Sequence, residues 1–179
     1  EAQYSLGSAF YQTGKLEDTV KCYEKVIEFR PNFPGIQNNL GNVLRELGRF
    51  DEAVLCYEKA ILIDPNFVEG YYNLGIVFQE LSQIDKALLN YKKAIEIKSN
   101  YAEAFNNLGT LYKEMKDFDS SVQSYHKAID IKPDYAEAYN NLGILYKDLG
   151  KIDEAVKSHE NAINIRPEYD EAHNNLGIL

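Results

Sequence analysis

"NNLG" at Asn38–Gly41 returns unchanged at Asn106–Gly109, Asn140–Gly143 and Asn174–Gly177, and as "YNLG" at Tyr72–Gly75. With Leu6–Gly7 included, the Leu-Gly pair falls at 6–7, 40–41, 74–75, 108–109, 142–143 and 176–177, a period of 34 residues without insertion or deletion. A fixed period of this size marks a stacked-repeat architecture. We count each unit so that this glycine is position eight. Position four is then Gln3, Gln37, Tyr71, Phe105, Tyr139 and His173, and position eleven is Phe10, Leu44, Phe78, Tyr112 and Tyr146. Position twenty is small throughout (Thr19, Ala53, Ala87, Ser121, Ala155). Position twenty-four is Tyr23, Tyr57, Tyr91, Tyr125 and His159, and position thirty-two is Pro31, Pro65, Ser99, Pro133 and Pro167.

Positions four, seven, eight and eleven follow i, i+3, i+4, i+7, one face of an α-helix. Positions twenty, twenty-four and twenty-seven do the same for a second helix that ends at the proline. Between them lies a short break such as "LGKID" (Leu149–Asp153), where glycine ends one helix and Asp153 is expected to open the next. Glycine at eight and a small residue at twenty predict a close approach of the two helices, with large residues at four, eleven and twenty-four filling the space around it. Such a hairpin cannot bury its apolar face alone, so neighbours must stack.

The pattern resembles the tetratricopeptide repeat along the whole chain. Full units are expected at 1–33, 34–67, 68–101, 102–135 and 136–169, with the first helix of a sixth at 170–179, forming a single array. The resemblance implies an all-α, right-handed solenoid of eleven helices with the first helix of each unit on the concave side. Departures are mild. Position four is never Trp, Ser99 replaces one proline, and Ser82 and Lys116 replace the inter-helix glycine.

The chain of 179 residues carries 28 Asp and Glu against 19 Lys and Arg, a net charge of −9. This acidic balance lacks the basic footprint of a nucleic-acid binder. The apolar runs are far shorter than the ~20 residues that span a bilayer. Cys22 and Cys56 are one period apart. Equivalent positions on stacked helices lie roughly 8–10 Å apart, too far for a disulfide. Reduced thiols and a cytoplasmic location are therefore expected. Both chain ends read as cuts. The chain starts at Glu1 in mid-repeat with Tyr4, Leu6 and Phe10, and it ends on Leu176, Ile178 and Leu179 without their second helix. Apolar ends of this kind are expected to favour end-to-end self-association.

No catalytic constellation emerges. His126, His159 and His173 fall at different repeat positions without ligand-spaced Cys or carboxylate partners, which points to packing or surface roles and to no metal or other cofactor. "HENAI" at His159 lacks the second histidine of a zinc-protease helix. The carboxylates Glu69, Glu103 and Glu137 repeat as a solvated face. The protein is not expected to be an enzyme.

Position six is the polar element of the phrase: Asn39, Asn73, Asn107, Asn141 and Asn175, with Ser5 in the first unit. Asn is a mediocre helix former, so five in register ask for a reason. With Asn38, Asn106 and Asn140 at position five and the cations Lys113 and Lys147 deeper along the same face, they form the candidate peptide-binding stripe. An Asn amide pairs with both N–H and C=O of an extended peptide residue. A first-helix spacing of roughly 10 Å matches three such residues at about 3.3 Å each. The arrangement looks like the asparagine ladder in the repeat domain of O-linked N-acetylglucosamine transferases. Lys is absent at the start of the first helix, so a clamp for acidic C-termini is not expected. The leading expectation is a protein-interaction scaffold that binds an extended polypeptide. The alternative is the substrate-recruiting region of a larger transferase with its catalytic domain elsewhere.

Overall fold

In the computed structural model, which describes residues 2–178, the chain forms eleven α-helices and no strand among the described residues. Their order is α1 (Ala2–Gln12), α2 (Leu16–Phe29), α3 (Pro34–Glu46), α4 (Phe50–Ile63), α5 (Val68–Glu80), α6 (Ile84–Ile97), α7 (Ala102–Glu114), α8 (Phe118–Ile131), α9 (Ala136–Asp148), α10 (Ile152–Ile165) and α11 (Asp170–Gly177). Odd-numbered helices are the first of each hairpin and even-numbered the second. The chain divides into two compact units, residues 2–97 and 98–178. The fold class is an all-α solenoid of stacked helix hairpins.

Within each unit a hairpin packs through its own pair and then through its second helix onto the next first helix, as α2 does on α3 and α8 on α9. First helices also touch their counterparts, α3 with α5, and α7 with α9 and α9 with α11; among the described residues second helices make no comparable contacts with one another. The first-helix side of each unit is therefore the crowded, inner one.

Glycine at position eight is explained by a ring. A Cβ on Gly41, Gly75 or Gly109 would stand 2.6, 2.5 or 2.8 Å from the nearest carbon of Tyr57, Tyr91 or Tyr125. The close contact is thus between the aromatic of position twenty-four and the glycine, a refinement of the expected helix-on-helix approach. Position twenty is fully buried beside it at Ala53, Ala87, Ser121 and Ala155, and Ser121 Oγ donates to the Gly109 carbonyl at 2.6 Å. Each tyrosine ring enters the core whole. Burying an aromatic of ~150–250 Å² contributes about 4–6 kcal/mol before conformational entropy.

The phenols reach out of that core to the first helix. Tyr57 donates to Asn42 Oδ1 at 2.8 Å, Tyr91 to Gln79 Oε1 at 3.0 Å, and the hydroxyls of Tyr125 and Thr110 hydrogen-bond to each other at 3.0 Å. Burial pushes the Tyr125 hydroxyl up to about 12 and that of Tyr57 higher still. In unit 98–178, Tyr125, Ala128 and Ile129 of α8 close against Ala138, Leu142 and Leu145 of α9, with Tyr135, Tyr139 and Tyr146 around them.

The turns follow the expected chemistry with two differences. Gly14, Gly48 and Gly150 take φ of 72–73°, the left-handed conformation that ends a helix. Ser82 and Lys116 occupy the same conformation at φ 56° and 62°, where a side chain is unfavourable. The second helix opens one residue earlier than expected: Lys151 is the cap and Asp153 sits inside the first turn, where its charge meets the helix dipole. Among the described caps, only at Asp117 does an acidic side chain take part, accepting from the Ser120 N–H at 3.2 Å.

The second helices end at the same position with or without proline, since α6 stops at Ile97 although Ser99 stands in its place. Elsewhere the residue before the proline leaves the helical region, with φ of −138° at Arg30 and −130° at Arg166. Cys22 and Cys56 are buried free thiols, and burial pushes Cys56 up to about 11. Of the apolar residues expected to be exposed toward the ends, Tyr4, Leu6 and Ile178 are exposed and Phe10 and Leu176 half-buried; Leu179 lies outside the described residues.

Candidate binding face

The asparagine stripe lies on the inner, first-helix side, at the contact between neighbouring first helices. Its members pair with one another across repeats at a constant separation of 35 residues. Asn73 Nδ2 donates to Asn38 Oδ1 at 2.7 Å, Asn141 Nδ2 to Asn106 Oδ1 at 3.0 Å, and Asn175 Nδ2 to Asn140 Oδ1 at 3.1 Å. Where position five is tyrosine in the first repeat, its hydroxyl takes the same place, and Asn39 Nδ2 donates to Tyr4 Oη at 3.2 Å. The rule is position six donating to position five of the preceding repeat.

The two positions differ in burial. Asn38, Asn106 and Asn140 are buried, the last completely, whereas Asn39, Asn73, Asn107, Asn141 and Asn175 are half-buried. The position-five carbonyl oxygens are occupied by the rung, so these three amides work mainly between helices. The position-six amides of Asn73 and Asn141 spend one N–H on the rung and retain a second N–H and the carbonyl oxygen on the inner face.

Deeper on the same face a second set of rungs repeats the 35-residue separation, from position twelve to position thirteen of the next repeat. Arg45 meets Glu80 at 2.8 Å, Lys113 meets Asp148 at 2.9 Å, and the Tyr11 hydroxyl donates to Glu46 Oε1. The sequence sets each cation beside its adjacent acid; the structure pairs it with the acid of the following unit. The signal was present as the constant spacing. The hydrogen bond to Glu46 pushes the Tyr11 hydroxyl above its ordinary range; at Arg45 the opposing effect of burial is outweighed by Glu80, which raises the guanidinium's affinity for its proton. Lys147 is half-buried and has no ion-pair partner among the described residues.

Unit 98–178 carries a third recurring arrangement at the hairpin edge. Lys132 lies 3.5 Å from Glu103 and 4.6 Å from the Tyr135 ring centre. Arg166 pairs with Glu137 and lies 4.3 Å from the Tyr169 ring centre. Arg166 holds the Glu137 carboxyl below its ordinary range against the opposing effect of burial. Glu103 and Glu137 thus keep the solvent exposure read from the sequence, with 41% and 43% of their side-chain surface exposed, and also pair with the loop that follows the second helix.

The histidines are placed in structural roles. His126 bonds the Tyr146 hydroxyl at 3.1 Å and His173 the Pro167 carbonyl at 2.8 Å. His159 is fully buried in the aromatic slot, with Nδ1 3.0 Å from Asn140 Oδ1. Burial, reinforced by Lys147, lowers its affinity for a proton. Since Asn140 Oδ1 accepts here, Nδ1 carries the proton and Nε2 is left as a buried acceptor without a partner. Among the described residues no three His, Cys, Asp or Glu side chains gather as a metal-binding group, and no helix is long and apolar enough to cross a membrane.

Stacked helix hairpins with a polar, amide-rich inner face define a helical-repeat module of the protein-interaction class. The family model described as "TPR repeat" matches residues 7–45, 41–82, 78–116 and 111–150, and that described as "Tetratricopeptide repeat" matches 136–169. The chain belongs to the tetratricopeptide-repeat family. Among solved structures it is similar to MamA, at 28% identity over 92% of this chain and 96% of that one, with a TM-score of 0.79. It is also similar to YrrB, described as a TPR protein with an unusual peptide-binding site, at 23% identity, 96% and 89% coverage and a TM-score of 0.72. A third similar fold is TTC0263, a thermophilic TPR protein in Thermus thermophilus, at 20% identity, 99% and 96% coverage and a TM-score of 0.81. The latter two likenesses concern the fold alone. No curated protein matches the sequence.

Proposed function

We propose that the protein is an interaction scaffold that holds an extended polypeptide along the first-helix face, with the position-six asparagines bonding the ligand backbone. The observation that carries this reading is the geometry of the rungs. The bond from Asn73 to Asn38, repeated from Asn141 to Asn106, fixes each amide plane and leaves one donor and one acceptor on the inner face. That is the set an extended residue's C=O and N–H require. Fixing the amides in advance removes rotamer entropy that binding would otherwise cost. Lys147, unpaired among the described residues on the same face, and Lys113, held by Asp148, supply the cationic contacts to ligand carbonyls. The described peptide-binding site of YrrB, on a similar fold, supports the class of ligand.

The test is titration of one peptide against the wild type and the triple variant Asn73→Ala, Asn107→Ala, Asn141→Ala, with circular dichroism as the folding control. Each lost amide removes about 0.5–1.5 kcal/mol, so affinity is expected to fall roughly ten-fold to a thousand-fold. Because the same amides also bridge helices, the triple variant is expected to melt somewhat earlier while remaining folded at the titration temperature. Equal affinities would reduce the ladder to a purely structural device.

A further inference from the structure

The first two repeats differ from the rest at one place on the inner face. A cleft of about 200 Å³ opens there, with Tyr4, Ser8, Tyr11, Gln12, Tyr23 and Asn39 among its lining residues. It is smaller than the ~300–1,000 Å³ of a small-molecule site and suits a single side chain. Three tyrosine rings form part of its walls. Tyr23 is part of the core, Tyr4 stacks on it with centroids 5.9 Å apart, and Tyr4 and Tyr11 keep 38% and 39% of their surface exposed. No other repeat brings tyrosine to both positions, since position twelve is Arg45, Gln79, Lys113 and Lys147 further on.

We propose that this cleft is a subsite for a cationic side chain of the ligand, arginine above lysine, set beside the first rung of the ladder. The proposal rests on the extended-peptide reading and adds a side-chain preference to it. Three observations converge. Ring faces are electrostatically negative and attract a cation placed within about 6 Å. The carboxylate of Glu46 accepts a hydrogen bond from the hydroxyl of Tyr11, one of the cleft's wall residues. The nearby positive charge of Arg45 is taken by Glu80, so the three charged groups leave one net negative charge. The amide of Gln12 on the same wall offers a further acceptor to a guanidinium fork. Arginine is favoured because its planar, weakly hydrated head stacks on rings. Asn39, whose Nδ2 is fixed on Tyr4 Oη, forms part of the cleft wall. A peptide residue paired to Asn39 therefore points an adjacent side chain into the rings.

The experiment compares a short serine–alanine peptide bearing one central arginine with its norleucine and glutamate counterparts on the full chain. N-acetylarginine amide serves as a separate small probe, followed by NMR. The arginine peptide is expected to bind about 3–10-fold tighter than the norleucine peptide. That advantage should vanish in Tyr11→Leu and shrink but persist in both Glu46→Gln and Tyr11→Phe, the latter keeping the ring while losing the hydroxyl that holds Glu46. The small probe should shift the amide signals of Ser8, Tyr11 and Asn39. Equal or better binding of the norleucine or glutamate peptide, or an arginine advantage that persists in Tyr11→Leu, overturns the subsite. The two readings fail separately. Peptides that bind and respond to the asparagine variants without preferring arginine leave the ladder standing and remove the subsite. A probe that shifts the cleft signals while no peptide binds leaves the subsite and removes the extended-peptide reading.

Discussion

The two compact units share one core and differ at its edges. In both, a position-eight glycine lies under an aromatic ring and a small residue is buried beside it. At the edge of residues 98–178, acid, cation and tyrosine tether each loop, as in Glu103–Lys132–Tyr135 and Glu137–Arg166–Tyr169. Residues 2–97 place Gly35, Asp64 and Phe67 at the corresponding sites of their second repeat, with neither the acid partner nor the cation of that tether. The second helices of this first unit instead expose apolar side chains outward: Phe29, Leu55, Leu62 and Leu89. Core positions are dictated by ring volume and tolerate little; edge positions see water and drift. The two units therefore differ at their edges and agree in their cores.

The comparison is broken most directly at its shared part. Gly75→Val and Gly109→Val each push a side chain into a tyrosine ring, and both are expected to destabilise by roughly 1–3 kcal/mol or more. Denaturant melts should show similar losses in the two units. A neutral melt at either site would remove the common core from the comparison.

The rungs differ more. Asn140 accepts from both Asn175 and His159, so Asn140→Ala strands a buried imidazole and should cost about 1–3 kcal/mol. Asn38→Ala strands only the half-buried amide of Asn73 and should cost less. Equal losses by thermal melting would show that His159 gains nothing from Asn140.

His159 also sets a pH dependence that residues 2–97 lack, because their equivalent positions are Tyr23, Tyr57 and Tyr91. Its folded-state affinity for a proton lies below the unfolded value. In the window below about pH 6.5 the unfolded chain binds the extra proton, so stability rises with pH there and is lost on acidification. The slope is at most ~1.4 kcal/mol per pH unit. Melts between pH 7 and 5 should show this loss in the wild type and its reduction in His159→Tyr, after the acid response of the carboxylates common to both is subtracted. An unchanged slope in the variant would sink the assignment.

A smaller effect, with the same sign in both units, is expected at the two strained turns. Ser82→Gly and Lys116→Gly relieve left-handed backbone and should each stabilise by about 1 kcal/mol, less the added entropy of glycine in the unfolded chain. The smallest change is expected at the exposed edge. Glu137→Gln should slightly lower the melting temperature at low salt, and the difference should disappear at high salt as screening removes the pair's attraction.

Much of this was legible without coordinates. The 34-residue period, the helical spacing of positions four to eleven and the glycine breaks are local signals, so they fixed the hairpins, the solenoid and the family. The stripe of Asn39, Asn73, Asn107, Asn141 and Asn175 was likewise visible as a register. What those amides do was not, because the Asn73 to Asn38 bond joins groups 35 residues apart whose meeting depends on how far one helix leans on the next. The same holds for Arg45 with Glu80, for the tyrosine cleft, and for the ring that explains Gly109. Periodicity states which residues share a face. Only packing in three dimensions decides which atoms on that face come within a hydrogen bond of each other, and which are left for a partner.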